Sequence, residues 1–319
     1  MAEYRPFNLE DRTREVFDAH HRAQAANERI FRRLVSLVSE EYFGVDAGYF
    51  EGRSVADVGC GSNANASVAF LQLGAAHVHS VDLGVEWMDC ATERLAPFGS
   101  RSTLGTEDVH RLTMATGSFD FVHCAGVLHH VRDPTTGFGE LARVTRPGGY
   151  TYISVMGTCD GVIYRVINGL RDRYEADPSF RTAVDGLTID HLRTAISWLL
   201  DSKERHEPST QAERDVLLSL VDEDLVLTIK DRLQAPTYHG FAIVESLARS
   251  WFTAVGYQDV RRLTRYVYGL ENVRRFLAPL YLEYTHPLAR LLFGDGYVQL
   301  IGRQPTGDQT TPCTSAEQT

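Results

Sequence analysis

Asp57-Val-Gly59-Cys-Gly61-Ser-Asn63 closes an apolar run that begins at Val55, and Asp82 closes a second run, His77–Val81. Alternating glycines let the turn after a strand pass close to a ligand with no Cβ in the way. An acid at the tip of the next strand can accept both hydroxyls of a ribose. The pairing suggests a site for a nucleoside-bearing ligand. It fits equally a plain strand-turn-helix whose glycines serve only tight packing, so the surrounding elements have to decide.

From residue 54 onward short apolar runs alternate with longer stretches. Residues 54–58, 77–81, 119–124 and 150–156 read as strands, with helices near 64–73, 85–95 and 135–145 between them. Such alternation specifies right-handed crossovers and a parallel sheet covered on both faces. Residues 10–43 carry Val16, Phe17, Ile30, Phe31, Leu34 and Val35 at helical spacing, predicting one or two helices ahead of the first strand. From about 157 to 240 the pattern turns helical and polar, an insertion the sheet does not need. After it the sequence predicts a helix over 243–254, a strand over 260–268, a helix near 271–293 and a last strand over 297–301. The domain reading is an N-terminal helical cover (1–50), a nucleotide-binding domain in two pieces (51–156 and 241–304), a helical lid (157–240) and a disordered tail (305–319). The tail is rich in Thr, Pro, Gln and Gly and cannot bury enough surface to offset its ordering entropy.

A net charge of -10 supplies no general basic field for phosphate backbones, which speaks against nucleic acid or an anionic membrane surface as partner. The charged start, Met1-Ala-Glu-Tyr-Arg-Pro, lacks an apolar signal region, and no stretch approaches a membrane span; the expected location is the cytoplasm. Five scattered cysteines without a C-x-x-C pair predict reduced thiols and no zinc site.

With these elements placed, the chain resembles the class I S-adenosylmethionine-dependent methyltransferases of the small-molecule subgroup, closely over about 50–156 and loosely over 241–302. Asp57-Val-Gly-Cys-Gly61 matches the family's first motif and Asp82 its ribose-binding acid. Thr106-Glu-Asp108-Val-His-Arg-Leu112 with Gly117-Ser-Phe-Asp120 matches the approach to the fourth strand. Val127-Leu-His-His130 and Glu140-Leu-Ala-Arg-Val-Thr-Arg-Pro147-Gly-Gly149 follow in the family's order. The resemblance implies a doubly wound, mostly parallel seven-stranded sheet with N-terminal helices and a helical lid insertion, and S-adenosylmethionine as cofactor. The chain departs from the family at Asn63, where a third glycine is common. Asn tolerates a left-handed backbone, so the loop can keep its shape, but a side chain then projects toward the cofactor's methionine portion.

The resemblance assigns roles position by position. Gly59, Cys60, Gly61 and Asn63 would face the methionine and ribose, with Asp57 holding the loop or meeting the amino group. Asp82 would take the ribose hydroxyls, and Leu83 would pack on adenine. Asp108, with Val109, would take the exocyclic amine, an alternative for Asp108 being a helix N-cap. Cys124 and Ala125 would line the floor near the sulfonium, the thiol only packing. The candidate proton acceptors are His129, His130 and His239, with Asp231 and Tyr164 behind them. A turn-capping or backbone-bonding role is the alternative for each histidine.

The lid would enclose the acceptor beyond the carboxyl ends of the strands. Tyr164, Arg165 and Asn168 on one predicted helix, with Tyr238 and His239, are the substrate-binding candidates; arginines on that helix could also form a solvated face paired with Asp172, Glu175 and Asp177. No metal is expected. The fourth strand does not end in the Asn/Asp-Pro-Pro-aromatic arrangement of many nucleic-acid methylases. The expected activity is therefore methyl transfer to a small metabolite, in specialised biosynthesis, the acceptor atom being N, O or C. Two alternatives stay open: an enzyme that consumes the cofactor otherwise, by cyclisation for example, and a non-catalytic methyltransferase-like subunit. A homodimer is kept open as the assembly.

Overall fold

The computed structural model describes residues 16–17, 22–24, 26–84, 88–158, 160–204, 210–234, 243–264, 271–277 and 283–306. Seven strands form one sheet: β1 (Ser54–Val58), β2 (His77–Asp82), β3 (Ser102–Thr106), β4 (Phe119–Ala125), β5 (Thr145–Met156), β6 (Gln258–Arg262) and β7 (Tyr297–Arg303). Their order is β3-β2-β1-β4-β5-β7-β6. The first five run parallel, and β7 runs antiparallel to both neighbours. The strand order reverses between β1 and β4, and a crevice opens there beyond the carboxyl ends of the strands. This is the class I methyltransferase fold.

Side-chain alternation splits the core between two faces. Ala56, Val58, Val122, Cys124, Ile153, Val155 and Leu300 face a cluster that includes Phe138, Leu141, Trp251 and Phe252. These last come from helices α5 (Pro134–Val144) and α11 (Glu245–Ala254). Val55, Phe121, Tyr152 and Ile301 face the other cluster, with Phe31, Phe43, Phe50, Phe70 and Leu95. That face is covered by α1 (Glu28–Ser36), α2 (Glu40–Phe43), α3 (Asn65–Gln72) and α4 (Met88–Leu95).

The insertion contains α6 (Val162–Ala176), α7 (Pro178–Asp185), α8 (Ile189–Glu204), α9 (Gln211–Ser219) and α10 (Glu223–Gln234). It is fixed to the sheet by a small apolar cluster of Met156, Tyr164 and Phe293. Asp224 also ties it by ions to the N-terminal cover, where Arg33 Nη2 meets its Oδ1 at 2.6 Å, and to the 273–276 turn, where Arg274 Nη1 meets its Oδ2 at 2.8 Å. Burial pushes the Arg33 pKa down, with Asp224 acting against that trend.

Two sequence expectations need correction. The helix expected near 271–293 is a short 3-10 turn, Val273–Phe276, capped by Asn272, and a separate helix α12, Pro287–Phe293. Pro287 supplies no N–H and suits a first helical position, which marks a start where the apolar spacing suggests continuity. The strand expected over 260–268 begins at Gln258, and its described part ends at Arg262. The predicted tail is described only as far as Thr306.

Candidate active site

A cavity of about 310 Å³ lies over the ends of β1, β2 and β4. Its glycine loop is built by two close approaches. Gly59 and Cys60 both donate their N–H to Val81 O, at 2.7 and 3.1 Å, which pins the loop to the neighbouring strand. Gly59 holds φ +79°, and a Cβ there would lie 2.0 Å from Val127 Cγ2. Only glycine fits this position. The left-handed non-glycine residue of the loop is Ala64, at φ 45°, rather than Asn63. Asn63 is buried with its Nδ2 donating to Gln24 Oε1 at 3.3 Å, and its side chain is not among those lining the cavity. Its amide thus serves the N-terminal cover, where the resemblance implies a reach toward the methionine portion.

Asp82 lines the cavity at the end of β2. Its Oδ2 accepts the Gly61 N–H at 2.9 Å and its Oδ1 the Gly84 N–H at 3.1 Å. One carboxylate thereby orders the loops of two strands, and each oxygen retains lone-pair capacity for a further donor. Leu83 follows it on the rim, 40% exposed, a free apolar surface for a flat ring. On the opposite wall Val109 is buried, while the Asp108 carboxylate accepts the His110 N–H at 2.9 Å and meets His110 Nδ1 at 2.7 Å. Asp108 therefore caps a turn, without starting a helix, and both it and His110 line the cavity.

Under the loop lies a buried polar pair that sequence reasoning missed. Asp57 is 1% exposed; its Oδ1 accepts from His123 Nδ1 at 2.8 Å and its Oδ2 from Ser67 Oγ at 2.5 Å. Ser80 Oγ donates on to Ser67 Oγ at 2.7 Å. The His123 ring stacks on Tyr152 at 5.1 Å between centroids, and the Tyr152 hydroxyl meets that of Tyr42 at 2.8 Å. Asp57 and His123 both line the cavity. The one signal in the sequence is that β4 carries a histidine inside an apolar run, opposite an acid on the neighbouring strand.

Of the proton-acceptor candidates, His130 lines the cavity, its ring edge-on to Phe17 at 4.8 Å. His129 is 2% exposed and is not among the lining residues, although its ring centroid lies 4.0 Å from that of His130. His239 and Tyr238 lie outside the described residues. Ala125, Gly59, Cys60 and Gly61 line the cavity. Cys124 does not, because alternation along β4 sends it to the opposite face of the sheet, under α5 and α11. Burial raises the Cys60 thiol well above its ordinary pKa, with Asp82 and Asp57 adding to the rise; burial raises that of Cys124 as well. Among the described residues no three His, Cys, Asp or Glu gather as a metal site. No described helix is long and apolar enough to cross a membrane.

The lid candidates separate. Tyr164 is 4% exposed and packs with Met156 and Phe293 at the mouth of β5, whereas Arg165 is exposed and donates to Asp160 O at 3.0 Å. Asn168 is half-buried on the same helix, and neither it nor Arg165 lines the cavity.

The glycine cradle, the acids at the ends of β1 and β2 and the switch-point crevice fit a nucleoside-bearing sulfonium. Residues 56–153 match the family model described as a methyltransferase domain. Over those residues the chain is similar to the methyltransferase domains, in keeping with its class I methyltransferase fold. It is 33% identical over 111 residues to a ubiquinone biosynthesis O-methyltransferase of Bordetella avium, covering 34% of this chain and 45% of that protein. It is 35% identical over 106 residues to one of Xanthomonas oryzae pv. oryzae, covering 33% and 44%. Among solved structures, a SAM-dependent methyltransferase from Aquifex aeolicus aligns with a TM-score of 0.42 at 14% identity, covering 84% of this chain and 91% of that one. The chain spans between a quarter and just under half of the length of the curated relatives it matches.

Proposed function

We propose that this protein transfers a methyl group from S-adenosylmethionine to a small-molecule acceptor. The observation that carries the reading is Gly59, pressed against Val127 in a left-handed turn over the β1–β4 switch point, with Asp82 and Asp108 on the two cavity walls. When bound, the cofactor would supply an electrophilic methyl group to an in-line nucleophile, with S-adenosylhomocysteine as the leaving group. Asp82 would take the ribose hydroxyls and Asp57 the ammonium side of the methionine portion, while Leu83 and Val109 would clamp the adenine. His130 would take the acceptor's proton where that acceptor is a hydroxyl or ammonium. Alignment does the remaining work, since holding two reactants in line replaces a bimolecular encounter.

The acceptor side is built from the lid, which lies beyond the matched residues 56–153; a hydroxyl acceptor is supported by the printed names of the curated relatives. A role in specialised biosynthesis in the cytoplasm completes the reading; the free thiols of Cys60, Cys90 and Cys124 support only the reducing compartment. A homodimer is supported by Trp198 and Val216, exposed at 66% and 55% on the contacting helices α8 and α9, and light scattering of the purified chain checks it. The deciding experiment is mass spectrometry of the protein incubated with S-adenosylmethionine and a bacterial metabolite extract. S-adenosylhomocysteine together with a species about one methylene heavier supports the reading. Methylthioadenosine without S-adenosylhomocysteine overturns it in favour of cofactor cyclisation or alkyl transfer.

A further inference from the structure

Arg232, in the last turn of α10, sits over the carboxyl end of β5 and the adjoining amino end of β7, with its charge uncompensated by any bonded acid among the described residues. Its Nη1 reaches Met156 Sδ at 3.5 Å and the Tyr297 hydroxyl at 3.4 Å, and the guanidinium lies 5.3 Å from the Tyr297 ring centroid. The bond to the tyrosine oxygen is long, and a thioether sulfur is a weak acceptor. Asp231, its neighbour in sequence, acts only through space. Residues 235–242, next along the chain, contain no Asp or Glu. An arginine cannot shed its proton to escape burial, and a part-buried cation without a bonded anion is costly. Burial works against the charge here, while Tyr297, Tyr164 and Asp231 favour it and keep the group firmly protonated.

Other arginines of the lid and its surroundings meet strong oxygen acceptors, Arg165 and Arg181 through the Asp160 and Tyr174 carbonyls at 3.0 Å. Arg33, Arg262 and Arg274 each have a carboxylate partner within 2.8 Å. Arg173 pairs with Asp177 and Arg214 with Asp201. Arg171 donates to the Arg232 carbonyl, which fixes that turn of α10 against α6 and leaves the Arg232 side chain to the strand ends. The location also fits the reaction. Gly126, on the cavity wall, donates its N–H to Ser154 O at 2.9 Å. Met156 lies two residues further along β5, roughly 7 Å beyond that bond and on the acceptor side of the sheet. Tyr164, Phe293 and Tyr297 supply an apolar and aromatic wall around it.

We propose that Arg232 anchors an oxyanion, a carboxylate or a phosphate, carried by the methyl acceptor, whose apolar body packs on Tyr297 and Tyr164. This inference rests on the methyl-transfer reading for its biological meaning, and its physical content is tested separately. Phenyl phosphate and benzoate are titrated into the full chain, with and without S-adenosylmethionine, and followed by ligand-observed NMR. Cofactor affinity is measured in parallel by calorimetry. At least one probe is expected to bind, and Arg232→Gln to weaken it about tenfold or more, since a fork of charge-assisted hydrogen bonds is lost. Cofactor affinity should stay unchanged. Arg232→Lys, which keeps the charge without the fork, should weaken the probe by about threefold or more, and it decides the matter if Arg232→Gln does not fold. Preference for phenyl phosphate assigns a phosphate, and preference for benzoate a carboxylate. Failure of both probes to bind the native chain, or equal binding by the variants, overturns the anchor. Failure of the native chain to bind S-adenosylmethionine while a probe still binds in an Arg232-dependent way overturns the methyl-transfer reading alone.

Discussion

The Asp57 carboxylate and the His123 imidazole, on adjacent parallel strands, meet at 2.8 Å beneath the glycine loop. The contact ties the floor of the cavity to a stacked tyrosine, Tyr152, and through it to Tyr42 of the N-terminal cover. Replacing His123 with Leu leaves a buried acceptor short of a donor, at a cost of about 1–3 kcal/mol. The expected outcome is a lower thermal midpoint and weaker S-adenosylmethionine binding together. His123→Gln, which can still donate, should recover part of both. A His123→Leu variant with native cofactor affinity would confine the pair to a packing role.

Gly59 gives a steric prediction that separates two causes. Ala at this position meets Val127 Cγ2 and is also held in a left-handed backbone, which by itself costs ~1–2 kcal/mol. Gly59→Ala should abolish measurable cofactor binding. Adding Val127→Ala removes the collision and not the backbone strain, so the double variant should regain weak binding in calorimetry. Equal loss in single and double variants would show that strain alone governs the turn.

Asp82 should act on loop and ligand at once, because its two oxygens hold the Gly61 and Gly84 amides. Asp82→Ala is expected to weaken S-adenosylmethionine by ~1–3 kcal/mol or more, and to increase hydrogen exchange at Gly61 even without cofactor. Slow exchange at Gly61 in that variant would remove the loop-ordering role and leave only ribose binding in question.

Most of this cavity is legible in the order of the motifs along the chain. Two glycines and an acid at successive strand ends can stand in few other places, and alternation of strands with helices fixes where the crevice opens. β3 is harder to read, since Ser-Thr-Leu-Gly-Thr on the sheet edge needs no continuous apolar run. A histidine in a strand ordinarily signals packing, so His123 does not stand out until β1 and β4 are neighbours and its partner is visible. Residue type points to Asn63 for the left-handed turn, yet the backbone places that turn at Ala64. Arg232 carries no signal at all. Its lack of a bonded carboxylate among the described residues follows from where its side chain meets Met156 and Tyr297, and amphipathic spacing does not contain that information.

The two adjacent histidines should separate in function. His130 lines the cavity and His129 is sealed beneath it. Once an acceptor is known, His130→Ala should lower kcat by roughly 10²-fold or more with cofactor affinity intact, as removal of a positioned base does. His129→Ala should instead lower the thermal midpoint and leave kcat per folded molecule close to native. Equal kinetic effects in the two variants would show that neither acts as the proton acceptor.

Cys60 supplies a pH test of the cavity itself. Burial raises its pKa, and the nearby Asp82 and Asp57 carboxylates add to the effect. The folded state therefore holds the thiol proton more tightly than the unfolded chain does. That contribution to stability is fully present below the ordinary thiol pKa of about 8.5 and is lost as pH rises above it. Denaturant midpoints should fall between pH 8 and pH 10, and fall less in Cys60→Ala. Over the same range iodoacetamide should label Cys90, which is partly exposed, and leave Cys60 unlabelled in the native state. Peptide mapping that finds Cys60 alkylated as fast as Cys90 at pH 8 would mean that the loop opens often enough to expose the floor of the cavity, and the buried Asp57–His123 pair would then be reached by solvent as well.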